Sequence, residues 1–325
     1  MLINAGETKN VGVELTVNTV NFSTKKFSWN TTLTLSHNKN SVKALTGEAV
    51  QLYEAKFGFN QNTHRIAVGE PLGQFYGYIT EGLYQVDDFN YDASTQTYTL
   101  KDGIPYHGDK GRIRPGMWKF KNLAGDDNVI DENDKTVIGN AQPKFYGGLN
   151  NSFTYKGFDL SIFLTFSYGN EVLNATKLVT SKVGSLNYNA LDVMNSSNRW
   201  MTINSDGQKV TDPGELAALN AGKTVAAYHD AQQGDNYIHS WAVEDASYLK
   251  LSNVTLGYTF PKNLIARVGL KNLRLYATGN NLLTWTKYSG FDPEVSTMKS
   301  GLTPGVDFGA YPLSRSFIFG LNVAF

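Results

Sequence analysis

The chain has 325 residues, of which 29 are basic and 29 acidic, and it contains no cysteine. The even charge balance and the scattered Lys and Arg residues argue against a nucleic-acid-binding surface. The lack of cysteine excludes disulfides, thiolate zinc sites and cysteine nucleophiles. Glycine and aromatic residues are abundant, with 31 Gly, 18 Tyr and 18 Phe, and they suit turns and twisted strands. Composition therefore predicts an all-β fold.

Alternation of apolar and polar residues predicts hairpins in the first half of the chain. Apolar side chains occupy every second position in 11–17 and again in 27–35, with a short polar turn between them. The same pattern follows in 158–166, directly after a tight turn at 155–157.

The interval 38–143 is too long for one plain loop, and the parity of the strands allows it zero or two further spanning strands. We expect two. The segments 63–68 and 75–85 fit this expectation, with a turn at 69–73 between them.

The second half of the chain continues the same pattern. Segments 248–260 and 273–283 form a third predicted hairpin, and the connection 261–270 has room for one helical turn. A helical pattern occurs at 214–220, inside a long connection. Apolar residues then occupy alternate positions from Phe317 to the aromatic Phe325.

Strand length and connection length favour a membrane barrel over a soluble sheet. Several predicted strands have ten or more residues, close to the ~9–11 that cross a bilayer when tilted. Short turns alternate with long connections, as in outer-membrane barrels. From the alternation alone, a soluble β-sandwich remains an alternative. Residues 1–7 lack a basic and an apolar region, so we expect no signal peptide in this chain.

Short motifs follow one another along the chain. They are Lys9 to Leu15, Gly69-Glu70-Pro71, Phe75 to Tyr78, Glu81 to Gln85, Asp131 to Asp134, Thr136 to Gly139, Tyr248 to Tyr258 and Asn280 to Val295. In this order they resemble the C-terminal part of SusC/RagA-type TonB-dependent outer-membrane transporters, and the last motif is the most specific.

The resemblance implies TonB-dependent import of oligosaccharides or peptides across the cell outer membrane, without enzymatic activity. It identifies residues 1–325 as the C-terminal part of the receptor barrel, an antiparallel transmembrane β-barrel segment with long extracellular loops. The chain would supply wall strands and outer loops, while the plug domain and signal peptide would be absent. Its about nine predicted strands are too few for a barrel of ~22 strands, so its sheet edges are expected to adjoin strands outside it.

The resemblance also implies partners. A SusD-like surface lipoprotein would hold the substrate over the barrel, and lipid of the outer membrane would surround it. TonB would act only through the missing N-terminal part, and no nucleic acid would bind. Two alternatives stay open: a small passive outer-membrane pore or adhesin, and a soluble extracellular β-sandwich that binds glycans or calcium.

The acidic stretch 123–134 resembles a calcium-binding loop, in which oxygen ligands alternate around the ion. With Asp134 as the twelfth position, Asp127, Asn128 and Asp131 fall at positions five, six and nine. Leu123 and Gly125 would then occupy positions one and three without offering a side-chain oxygen. Calcium is the only cofactor that the sequence suggests, and a solvated acidic loop is the alternative.

Aromatic residues near the predicted strand ends have two interpretations. Tyr78, Tyr84, Trp285 and Tyr288 are expected in an aromatic girdle at the membrane interface. The residues Trp118, Trp200 and Trp241 are candidates for stacking on a glycan or packing against a partner protein. No catalytic residues are predicted.

Overall fold

The computed structural model describes residues 6–46, 50–54, 62–125, 127–181, 189–227, 237–297 and 300–325, and of 50–54 it describes the backbone alone. The described strands are β1 Gly6–Ser23, β2 Phe27–Leu45, β3 Val50–Glu54, β4 Asn62–Ala67, β5 Gln74–Gly77, β6 Thr80–Leu83, β7 Phe89–Asp92, β8 Thr97–Leu100, β9 Tyr106–His107, β10 Trp118–Phe120, β11 Val129–Ile130, β12 Thr136–Asn140, β13 Phe145–Tyr155, β14 Phe158–Tyr168, β15 Glu171–Asn174, β16 Val243–Asp245, β17 Tyr248–Thr259, β18 Asn272–Thr286, β19 Val306–Asp307 and β20 Ser316–Ala324.

Helices are few and short. The α-helices are α1 Ala175–Thr180, α2 Pro213–Leu219 and α3 Lys262–Ile265. Single 3-10 turns lie at Val86–Asp88, Lys110–Arg112, Glu132–Asp134, Asp192–Met194, Ser240–Ala242 and Ala266–Val268. Among the described residues, no helix has the length and apolarity needed to cross a membrane.

Seven long strands form one antiparallel sheet in the order β1-β2-β13-β14-β17-β18-β20. The order follows the chain, so each strand pairs with the next long strand after it. We call this the wall sheet. It confirms the predicted all-β fold, the predicted hairpins 11–35 and 248–283, and the strand predicted at 158–166 after a tight turn.

Short turns lie along one edge of the wall sheet and long connections along the other. β1 and β2 are joined by three residues, β13 and β14 by two, and β17 and β18 by a segment that contains α3. In the two-residue turn, both Lys156 and Gly157 have positive φ values, 46° and 91°. This backbone geometry matches the right-handed twist of the strands that the turn joins. We call this side the turn edge and the opposite side the loop edge.

The long connections fold into an outer region beyond the loop edge. It contains the small sheets β12-β5-β4-β3 and β16-β15-β19, three two-stranded sheets and helices α1 and α2. Buried clusters around Phe120, Trp200, Phe75 and Tyr84 form its core. The molecule's packed hydrophobic core thus lies in the outer region rather than against the wall sheet.

The prediction of two spanning strands at 63–68 and 75–85 is wrong. β4 and β5 do form there, about the predicted turn, but they pair with each other and with β12 and β3 in the outer region. Buried side chains occur at both odd and even positions of β4 and β5. A strand enclosed on both faces by protein has no face for lipid, so the described part of the interval 38–143 contributes no strand to the wall sheet beyond β2.

Candidate functional site

The wall sheet has one mainly apolar face, which Thr31 and Asn151 interrupt in the middle of β2 and β13. Register pairing places side chains of one row next to one another from strand to strand. One row, in sheet order from β1 to β18, consists of Val17, Leu33, Leu149, Leu164, Leu251 and Leu283. On β20, Phe317, Phe319 and Leu321 continue this face and are exposed. Apolar side chains that are exposed or half-buried along most of a sheet face are the pattern of a lipid contact rather than of a water-facing surface.

The opposite face of the wall sheet is polar and bonded from strand to strand. Thr32 donates to Asn18 Oδ1 at 2.7 Å between β2 and β1. Asn253 donates to Asn280 Oδ1 at 2.7 Å, and Asn280 donates to Ser316 Oγ at 3.0 Å, which links β17, β18 and β20. These groups suit a wet passage because water can complete their hydrogen bonds.

An ion pair on the polar face bridges two strands across a third. Arg274 of β18 donates from Nε and Nη2 to the two oxygens of Asp159 on β14, at 3.0 and 2.5 Å. Gly257 of β17 lies between them, and a Cβ there would collide with both side chains. Glycine at this position therefore lets the charged groups meet over the strand that separates them.

Aromatic rings border the apolar face at both edges. At the turn edge, Phe22 contacts Phe27, Trp29 stacks on Phe153 at 5.7 Å, and Phe158 contacts Tyr258 at 4.5 Å between ring centroids. At the loop edge, Phe145 stacks on Tyr168 at 4.8 Å. Rings at both ends of an apolar band are typical of interfaces between membrane and water.

Three residues predicted for this girdle lie elsewhere. Tyr78 and Tyr84 are buried in the outer region, and Tyr288 is buried where it donates to Asp307 at 2.6 Å. Of the four, Trp285 alone is exposed on a strand of the wall sheet. The prediction was wrong for the three tyrosines because proximity to a strand end in sequence does not separate a ring at the interface from one folded into a loop.

The outer region closes over the polar face at the loop edge. The turn between β4 and β5 bonds to the end of β2, through Val42 N–H to Glu70 O at 2.9 Å and Gly69 N–H to Val42 O at 2.8 Å. On the other side, the buried Lys250 of β17 is ion-paired with Glu294, which also accepts from Tyr248 Oη at 2.7 Å. These bonds hold the outer segments against the wall that they cover.

Glu244 joins three outer segments. Its carboxylate accepts from Ser289 N and Oγ, both at 2.9 Å, and from Lys177 Nζ at 3.1 Å. Burial by itself would raise the pKa of Glu244, but the bonds from Ser289 and Lys177 outweigh burial and lower it. Lys177 also lies 4.1 Å from the centre of the Trp241 ring, so α1, β16 and the segment after β18 are held by one charged group.

The tryptophans predicted to contact substrate or partner pack within the outer region. Trp200 is 1% exposed and Trp118 is 6% exposed. Trp118 contacts His239 at 5.0 Å and Trp241 at 4.9 Å between ring centroids. Their ring faces are thus covered by the chain itself, and a role in binding glycan or partner stays a prediction.

The outer region contains buried histidines, among them His64 and His107. His64 bonds through Nε2 to Pro304 O at 2.9 Å and through Nδ1 to Thr63 Oγ1 at 2.8 Å. His107 lies among the rings of Tyr84, Phe120 and Tyr237 and makes no hydrogen bond through either ring nitrogen. Burial lowers the pKa of both His64 and His107 to about 4, so both are neutral at pH 7.

The predicted calcium loop is a compact acidic turn. The buried Asp134 accepts backbone N–H groups of Leu123, Ala124 and Asp131 at 2.6 to 2.9 Å. Asp127 accepts from Val129 N, and Asp131 caps the 3-10 turn that follows it. Asp126 lies outside the described residues. Over the part of the chain that the structure describes, no three His, Asp or Glu side chains are grouped to hold a metal ion, and calcium binding stays a prediction.

A surface cavity of about 450 Å³ in the outer region was not foreseen from the sequence. Polar side chains of both charges line it, including Asp102, Lys110 and Arg114 beside the ring of Tyr98. An aromatic ring flanked by charged groups offers both stacking and hydrogen bonding to a polar ligand.

Comparison with known proteins shows which proteins this chain is similar to. No protein-family model matches the chain. Along 99% of its length the chain is 33% identical to TonB-dependent receptor P3 of Formosa agariphila, and along its whole length it is 27% identical to TonB-dependent receptor SusC of Bacteroides thetaiotaomicron. The fold matches the RagAB peptide importer in its open-open state with a TM-score of 0.68, at 20% identity, over 98% of this chain and 29% of that one.

These matches indicate the class first: along its length the chain is similar in sequence to part of TonB-dependent receptors, and its fold matches part of the RagAB importer. The similarity to SusC and the fold match to RagAB confirm the SusC/RagA-type resemblance that the motifs indicate. The chain spans 29% of the length of receptor P3 and 27% of that of SusC.

Proposed function

We propose that the chain forms part of the wall and outer loops of a barrel that imports nutrients across the outer membrane. The observation that carries the proposal is the wall sheet itself, with a mainly apolar face, a bonded polar face and aromatic rings at both edges. This arrangement needs hydrocarbon on one side and water on the other.

The two edge strands of the wall sheet, β1 and β20, indicate that the sheet belongs to a larger barrel. β1 and β20 each pair with one neighbour in the wall sheet, which leaves an open side on both. An unpaired strand edge in hydrocarbon costs several kcal/mol per backbone group. We infer that each edge pairs with strands outside this chain in a barrel of ~22 strands.

The proposal extends to substrate and partners through the relatives. One relative is a TonB-dependent receptor named SusC, and the structural neighbours are described as a peptide importer. We propose that oligosaccharides or peptides pass along the polar face, that a SusD-like surface lipoprotein covers the outer region, and that TonB drives import through another part of the receptor. The cavity beside Tyr98 is a candidate for early substrate contact.

The face assignment is tested with spin labels at two adjacent positions. Phe319 lies on the apolar face of β20 and Ile318 on the polar face, and both are exposed. In the full-length protein reconstituted in lipid, a label at Phe319→Cys is expected to collide with oxygen more than with a water-soluble nickel complex, because oxygen partitions into hydrocarbon.

The matched control is the label at Ile318→Cys, which is expected to lack this preference for oxygen. Equal oxygen exposure at the two positions, or a nickel preference at position 319, would contradict the wall assignment and favour a soluble sandwich.

A further inference from the structure

We propose that the turn edge of the wall sheet binds the headgroups of anionic glycerophospholipids. The proposed site is a row of exposed cations that we call the basic rim. It consists of Lys25, Lys26, Lys156, Lys262, Arg267 and Lys271.

The basic rim has a charge of one sign only. The three turns with their flanking residues, 23–28, 155–158 and 259–272, contain these six cations and no Asp or Glu. Asp159, which follows the second turn, is already paired with Arg274. Without the rim, the chain has 23 basic residues against 29 acidic ones, so the positive charge is concentrated at one end of the molecule.

Within the described part of the chain, none of the six cations forms an ion pair with a carboxylate. Surface cations of most proteins are interspersed with acidic groups. A row of exposed and unpaired cations therefore indicates an external anion.

Backbone bonds place the three turns side by side. Lys156 N–H donates to Lys26 O at 3.3 Å, which joins the first and second turns. Thr259 N–H donates to Gly157 O at 2.8 Å, which joins the second and third. The cations thus follow one continuous line along the end of the sheet, as a row of lipid headgroups would require.

The position of the basic rim at the end of the apolar face corresponds to the level of the lipid headgroups at a membrane surface. The aromatic pairs of the turn edge, such as Phe158 and Tyr258, lie immediately beside it on the apolar face. Lys156 extends over the ring of Tyr155 at 5.1 Å. Beyond the strands, Leu264 and Val268 are 56% and 72% exposed beside Lys262 and Arg267. Apolar side chains between cations are typical of segments that lie in the headgroup layer.

The occupant follows from charge and position. A cation near an anionic lipid surface contributes about fivefold in affinity, the equivalent of about 1 kcal/mol. On the proposed function, on which this inference rests, short turns face the periplasm, where the leaflet consists of phospholipid. We therefore assign the rim to the phosphate of lipids such as phosphatidylglycerol rather than to lipopolysaccharide of the outer leaflet.

The test is lipid binding to the purified full-length protein, measured by native mass spectrometry. The protein is titrated with phosphatidylglycerol, with phosphatidylcholine of the same acyl chains, and with lipid A. The wild type is expected to bind phosphatidylglycerol most tightly. A variant with all six rim cations changed to Gln is expected to lose at least about tenfold in phosphatidylglycerol affinity, with phosphatidylcholine binding unchanged.

The matched control removes six exposed cations elsewhere and should bind phosphatidylglycerol like the wild type. These are Lys9, Lys39, Lys43, Lys121, Lys209 and Arg315. Equal loss in both variants, no loss in the rim variant, or tighter binding of lipid A than of phosphatidylglycerol would each overturn the proposal.

Two further measurements distinguish a variant that fails to fold, a failure of the lipid-binding inference and a failure of the proposed function. Phosphatidylglycerol binding by the wild type is expected to weaken as ionic strength rises, which tests the rim even if the six-site variant fails to fold. Recovery of the wild type in the outer-membrane fraction reports on the proposed function alone, so a correctly located protein without lipid preference would refute only this inference.

Discussion

At the scale of residues, glycine decides how closely neighbouring strands of the wall sheet approach. A Cβ at Gly257 would meet the ends of the Arg274 and Asp159 side chains, which can rotate away. A Cβ at Gly147 would meet the backbone carbonyl of Thr34 on β2, which cannot move without disturbing the strand pairing. The same substitution should therefore have different costs at the two positions.

We expect Gly147→Ala to destabilise the sheet by about 1–3 kcal/mol, as overpacking does in well-packed sites. Gly257→Ala should separate the partly exposed ion pair and cost less than about 1 kcal/mol. The temperature at which the folded band of the full-length protein disappears in a detergent gel measures both. A larger effect at position 257 would show that the ion pair, rather than strand approach, limits stability.

The buried histidines give the outer region a pH dependence. Burial depresses the folded-state pKa of His107 to about 4 from an ordinary 6.5. As the pH falls from about 6.5 to 4, the unfolded chain takes up a proton that the folded chain does not, so stability is lost over that window, by up to about 3 kcal/mol. His64 contributes in the same direction.

We expect His107→Phe to raise stability and to weaken this pH dependence, because the ring nitrogens of His107 make no hydrogen bond. His64→Phe is the contrasting variant. It should weaken the pH dependence too, but lower stability at pH 7.5, because the buried hydrogen bonds of His64 to Pro304 O and Thr63 Oγ1 are lost. Thermal unfolding at pH 5 and pH 7.5 tests both, and unchanged pH dependence in both variants would contradict the assignment.

At the scale of elements, local signals in the sequence predicted most of the wall sheet. The alternation in 11–17, 158–166 and 317–325 and the turn at Gly157 depend only on residues close together in the chain, and the strands formed where predicted. The sequence of β4 predicted a strand but did not show which sheet the strand would join. Membership of a sheet depends on partners distant in sequence, such as the pairing of β5 with β12.

Helix α2 formed where the sequence predicted it, and its first turn is capped. Asp212 accepts from Gly214 N at 2.9 Å and Glu215 N at 3.0 Å. Helix α1 was missed because it is short and lies in a segment without a clear period. Its cap is Asn174, which accepts from Lys177 N at 2.9 Å.

We expect Asp212→Ala to speed hydrogen exchange in α2, because the cap contributes about 0.5–2 kcal/mol to helix stability. Asp206→Ala is the control, since Asp206 is equally exposed and caps no helix. Mass-spectrometric exchange over 213–219 makes the measurement. Equal exchange in the two variants would mean that packing of Leu216, rather than the cap, holds the helix.

At the scale of the whole molecule, the difference between the turn edge and the loop edge sets the orientation of the wall sheet in the membrane. Short turns with cations form one edge, and a packed outer region forms the other. Barrels of the outer membrane have short turns in the periplasm and long loops outside the cell. On the proposed function, the outer region is therefore accessible from outside the cell.

Labelling of intact cells tests this orientation, and the chain has no cysteine of its own to interfere. A bulky maleimide polymer is expected to react with Ala93→Cys, in the exposed turn between β7 and β8. Asn263→Cys, in the turn between β17 and β18, should react only after the outer membrane is permeabilised. Reaction of position 263 alone on intact cells would reverse the orientation.

The sequence by itself determined the two-faced strands, their turns and the family resemblance, because alternation and turn geometry are properties of neighbouring residues. Only the tertiary structure decided that Tyr78, Tyr84 and Tyr288 are buried rather than at the interface. It also decided that histidines are enclosed by partners such as Pro304, 240 residues from His64. Burial depends on contacts between segments far apart in the chain, and no local pattern specifies them.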